Sequence, residues 1–98
     1  MTATRVGVRV TYVSGQGETT LRMSDNMLGT MCKAARQLGA RYFVARDGGV
    51  LGVFDMRTAQ HNNPAPGDWS INDPVRTFPL NARDAAIVWA FTMLGRPR

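Results

Sequence analysis

Chemistry in a protein chain starts from side chains that ionise near neutrality, attack carbon or hold a metal. This sequence offers few of them: one histidine, His61, and one cysteine, Cys32. A histidine among loop amides can be a general base or a metal ligand. The nearest acids, Asp55 and Asp68, stand at no recognised ligand spacing, so His61 reads as a solvated loop residue. Cys32 could act as a nucleophile only if the fold carried His61 to it. Its position at the edge of an apolar helical stripe reads instead as a small core residue. One cysteine also excludes an intramolecular disulfide and a cysteine-built zinc site. The expected setting is reducing and cytoplasmic.

The acidic residues are dispersed singly, and Gly48-Gly49 with Gly52 is not followed by a helix, so no phosphate-binding fingerprint forms. The expectation is a chain with no catalytic residues, no metal site and no cofactor, and therefore not an enzyme. What remains is recognition. Twelve basic residues against seven acidic give a net charge of +5, and all the basic residues but Lys33 are arginine. Arginine suits phosphates and carboxylates. The candidates for a basic surface are Arg5 and Arg9 on the polar side of a first strand, Lys33 and Arg36 on the polar side of a first helix, and Arg41 just beyond it. Such a surface would bind nucleic acid or an acidic protein face.

These residues need elements to hold them. Residues 5–13 alternate, with Val6, Val8, Val10 and Tyr12 on one face and Arg5, Arg9 and Thr11 on the other, which predicts a strand. Ser14-Gly15-Gln16-Gly17 is turn material, and 18–23 reads as the return strand of a hairpin. Ser24, Asp25 and Asn26 are N-cap candidates for a helix over 25–38, with Met27, Leu28, Met31, Ala34, Ala35 and Leu38 on its buried side and Gly39 as its stop. Residues 41–46 and 50–55 are two further strands around the Asp47-Gly48-Gly49 turn. Both carry apolar side chains on both sides, as strands in the middle of a sheet do.

Residues 56–68 read as a long polar loop. Its amides and the Trp that follows make Gln60, His61, Asn62, Asn63 and Trp69 the candidate partner-binding set. Short strands are expected at 69–72 and 75–78, broken by Asp73-Pro74. A last helix over 82–94 is capped by Asn81, with Asp84 completing a capping box.

Nine of the ten residues at 85–94 are apolar. That run is too short for a bilayer, which takes about 20 residues, and no secretory signal or membrane segment is expected. Trp89, Met93, Ala82 and Ala86 are expected on the sheet. Ile87, Phe91 and Leu94 are expected on an open side that seeks cover as an oligomer interface.

The fold expected over 1–98 is one α+β domain. It has an antiparallel sheet of four to six strands and two helices packed on one face, in the order ββαββ(β)(β)α. The function expected is a small non-enzymatic binding module acting through contact with a protein partner and forming a homodimer. Its size suits a regulator or inhibitor from a phage or mobile element. The alternative is direct nucleic-acid binding through the arginine surface.

Overall fold

The computed structural model describes residues 8–23, 27–62, 68–71 and 73–95, with backbone alone at 61–62 and 68–69. Two local hairpins build most of the sheet. In the first, β1 (Val8–Ser14) turns through Gly15-Gln16 into β2 (Gly17–Met23). In the second, β3 (Tyr42–Asp47) turns through Gly48-Gly49 into β4 (Val50–Asp55), with Gly48 at the positive φ of 66° that a two-residue hairpin loop demands. The hairpins join along β1 and β3, where Thr11, Tyr12 and Val13 pair with Val44, Phe43 and Tyr42. The strand β7 (Arg76–Pro79) adds to β4 and completes the antiparallel order β2-β1-β3-β4-β7. This is the α+β fold expected from the sequence, with five strands in the main sheet and two helices.

The helices are α1 (Leu28–Leu38) and α2 (Arg83–Leu94), and they lie on opposite faces of the sheet. This corrects the expectation that both pack on one face. Alternation along the central strands decides it. Val10 and Tyr12 of β1, Phe43 and Ala45 of β3, and Phe54 of β4 meet Met31, Cys32 and Ala35 of α1. The intervening Val13, Tyr42, Val44, Leu51 and Val53 meet Ala86, Ile87 and Ala90 of α2. Strands apolar on both sides need cover on both sides, and each helix supplies one.

Helix α1 ends as the sequence implies, on Gly39 at φ 68°, whose N–H returns to the carbonyl of Arg36. Its N-cap position is Met27, which makes no side-chain cap. Ser24, Asp25 and Asn26 lie outside the described residues. The buried stripe is narrower than expected. Met31, Cys32 and Ala35 form it, whereas Met27 and Leu38 are 63% and 40% exposed. Helix α2 starts one residue later than a cap at Asn81 would have it. Ala82 holds the N-cap position without a side-chain bond, so the expected capping box does not form.

The stretch expected as a long loop over 56–68 has structure of its own. A 3-10 turn at Met56–Thr58 is capped by Asp55, whose carboxylate accepts from the Arg57 N–H at 2.9 Å. A small ribbon follows, β5 (Gln60–Asn62) pairing antiparallel with β6 (Asp68–Ser70). Its second strand lies along α1, and Ile71 beyond the ribbon joins the core between α1 and the sheet.

Candidate functional site

Helix α2 reaches β1, β3, β4 and β7, and its N-terminal turn stops short of covering β2. That shortfall opens a cleft of about 480 Å³ between the first hairpin and the start of α2. The register places Arg9 opposite Arg22, Thr11 opposite Thr20 and Val13 opposite Glu18. Directly opposed residues share a face, so all six side chains stand on the α2 side. Arg83, Asp84 and Ile87 close the cleft from the helix.

Its floor is a short polar relay. Thr11, 1% exposed, shares a hydrogen bond with Thr20 between their Oγ1 atoms at 3.0 Å, and Arg83 Nη1 donates to Thr11 Oγ1 at 3.4 Å. Burial holds the Arg83 guanidinium below the usual arginine range, and the nearby Arg9 cation adds to the effect. Three guanidiniums and two carboxylates, Glu18 and Asp84, line the cleft. A phosphate cradle would not place carboxylates beside its cations. A polar strand carrying charges of both signs fits this lining better.

Beside the cleft runs an open edge. β2 pairs with β1 on one side and, among the described residues, with no strand on the other. The direction of its outer backbone groups follows from β1. The Arg41 N–H donates to the Val13 carbonyl, so Val13 turns its backbone toward β3. Its neighbour Tyr12 and, by alternation, Val10 face β2, where Thr19 and Leu21 meet them. Glu18, Thr20 and Arg22 therefore present their N–H and C=O groups outward. The opposite edge, β7, is four residues long and ends in Pro79, which has no N–H to donate.

The candidate basic surface is not brought together. Arg9 lies on the cleft. Lys33 and Arg36 are exposed on α1, on the other side of the sheet. Arg41 is committed to Asp55, its Nε and Nη2 each donating to a carboxylate oxygen at 3.3 Å, while its guanidinium lies 4.8 Å from the Tyr42 ring centre. Arg5 lies outside the described residues.

The expectation that Ile87, Phe91 and Leu94 stand on an open side of α2 is corrected as well. Ile87 is only 8% exposed and belongs to the core on the sheet, and Phe91 and Leu94 are partly buried against the same cluster. The stripe that faces the sheet is centred on Ala86 and Ala90, both fully buried, with larger side chains flanking it. The outward side of α2 carries Ala85, Val88 and Thr92.

Of the candidate partner-binding set, Gln60 is exposed on β5, and the ribbon sets His61 across from Trp69 and Asn62 across from Asp68. The side chains of His61, Asn62 and Trp69, and all of Asn63, lie outside the described residues. Cys32 is fully buried, and burial pushes its thiol up to about 11, which removes the thiolate a nucleophile needs. Among the described residues no three His, Cys, Asp or Glu side chains converge where a metal could sit, and no helix is long and apolar enough to cross a membrane.

Sequence reasoning named Arg9 but missed Glu18, Thr20, Arg22 and Arg83. The period-two polar set on β2 was the available signal for the first three. Nothing local points to Arg83, which comes from the far end of the chain. Compared with protein-family models, with curated proteins and with solved structures, the chain matches none.

Proposed function

We propose that this chain is a non-enzymatic protein-binding module that takes an extended segment of its partner along β2. The carrying observation is the open seven-residue edge whose outward backbone groups, at Glu18, Thr20 and Arg22, border a cleft charged with both signs. Strand addition draws affinity from main-chain hydrogen bonds and specificity from alternate side chains, and this edge has both. A regulator or inhibitor works this way by occupying a strand edge of its target. The dispersal of Arg9, Lys33, Arg36 and Arg41 over two sides of the sheet supports protein contact over a phosphate-tracking surface.

The test is affinity purification from the native host, with and without nuclease, using the parent chain and Thr20→Pro. The Thr20 N–H faces away from β1, so proline there keeps the β1–β2 ladder bonds while it removes an outer donor and the side-chain bond to Thr11. The expected result is a protein partner that survives nuclease with the parent and is lost with the variant, while circular dichroism stays unchanged. Recovery of nucleic acid alone, lost on nuclease treatment, would favour the phosphate reading. Equal recovery of the same protein by both chains would move the contact away from β2.

A further inference from the structure

We infer that the strand received by β2 is β2 of a second copy, in antiparallel register about a two-fold axis through Thr20. The inference rests on the edge reading and names its partner. The strand reads Gly17-Glu18-Thr19-Thr20-Leu21-Arg22-Met23. Glu18 and Arg22 lie at equal distances on either side of Thr20 and carry opposite charges. A two-fold axis at Thr20 therefore sets Glu18 of each copy against Arg22 of the other, twice, with the two Thr20 residues facing each other.

Backbone direction agrees with this axis. Glu18, Thr20 and Arg22 are the residues whose N–H and C=O groups point outward, so they form the pairs that exchange both ladder bonds. Their side chains all stand on the α2 side, at the mouth of the cleft. Other registers lose the match. An axis through Glu18 or Arg22 opposes like charges at its centre, which destabilises a cross-strand pair. An axis through Thr19 or Leu21 sets Glu18 or Arg22 against Thr20 and leaves no ion pair. Charge thus selects one register among those the edge permits.

A two-fold interface must be complementary to itself, and this seven-residue strand is, although the chain as a whole carries +5. On the other side of the sheet the same register lays Thr19 beside Leu21, which is only partly buried within one copy. The product is one continuous sheet through both copies, closed by the short β7 at each end.

The experiment is sedimentation equilibrium of the full chain from micromolar to several hundred micromolar. It uses the parent, Glu18→Arg, Arg22→Glu and the double swap. The expected result is a parent dimer, with each single reversal raising the dissociation constant at least about tenfold by opposing like charges. The double swap restores association to within about threefold of the parent, because both ion pairs then form again with their signs exchanged. Amide exchange adds a second readout, in which the N–H groups of Glu18, Thr20 and Arg22 become protected as concentration rises.

A parent that stays monomeric throughout overturns the inference. So does a dimer indifferent to the single reversals, or a folded double swap that fails to reassociate. If the parent is monomeric and Thr20→Pro still loses a different protein from the host, the self-pairing is wrong and the edge reading stands. If Thr20→Pro loses nothing, the edge reading falls too.

Discussion

On the α1 side of the sheet the strands present aromatic rings. Tyr12, Phe43 and Phe54 stand across three neighbouring strands, with centroids 5.7 and 5.1 Å apart. The Tyr12 hydroxyl donates to the Met31 carbonyl of α1 at 3.1 Å. On the α2 side the strand surface is mostly aliphatic, and the helix meets it with Ala86 and Ala90. Trp89 stands at the flank, edge-on to Tyr42 and Phe78 with centroids 6.0 and 6.4 Å away. The core on the α1 side extends onto β2 through Leu21 and Met23 and outward to the β5–β6 ribbon. The α2 core stops at β1. One strand is therefore core on one side and polar on the other, and the difference in reach between two helices leaves a polar cleft beside its open edge.

The largest expected effect breaks the aromatic side. Phe43→Ala removes the ring between Tyr12 and Phe54 at a fully buried site. It should cost about 3–5 kcal/mol in a urea melt. A loss below about 1 kcal/mol would mean that the rings do not carry that face.

The α2 side should fail in the opposite sense, through crowding. Ala90→Leu overpacks a close helix–sheet contact and should cost about 1–3 kcal/mol. Val88→Lys, two residues earlier on the 63% exposed side, should stay within about 0.5 kcal/mol of the parent. The reverse ranking would turn the helix over and reopen its other side as an interface.

The smallest effect sharpens the comparison through pH. The α1 side buries a thiol and a phenol together, and burial raises Cys32 from its ordinary 9.0 to about 11. Burial likewise raises Tyr12, with a further push from Cys32. A group whose folded value is raised favours the folded state fully below its unfolded value. That contribution is lost as the unfolded chain ionises first. The Cys32 contribution to the melting temperature should thus be flat below pH 9 and fall between 9 and about 11. Cys32→Ala should give a shallower slope over that interval, whatever it does to the absolute value. An identical slope would show that Cys32 does not ionise differently on unfolding.

Much of the fold was legible because it is local. Alternation marks β1, β3 and β4, Asp47-Gly48-Gly49 marks a turn, and Gly39 marks the end of α1. The helix placement was legible in part. Apolar residues on both sides of β3 and β4 already required cover on both faces, but the helices by themselves do not say which face each takes. The stripe of α2 misled because the helix is apolar nearly all round. Side-chain size suggested two faces, whereas the close contact is made by small residues between them. The site was least legible. Arg83 meets Thr11 across most of the chain, and whether β2 is an edge depends on strand order, which no local pattern encodes.

The sheet's two-hairpin construction sets an order of assembly. The β1–β2 and β3–β4 turns each close over two residues, and hairpins of this kind form in roughly 1–10 μs. The pairing of Thr11 with Val44 must close a far longer loop that includes α1, and the entropy of that closure precedes its reward. The rate-limiting step should then be the docking of one preformed hairpin on the other, and substitutions at the β1–β3 seam should slow folding more than those near either turn.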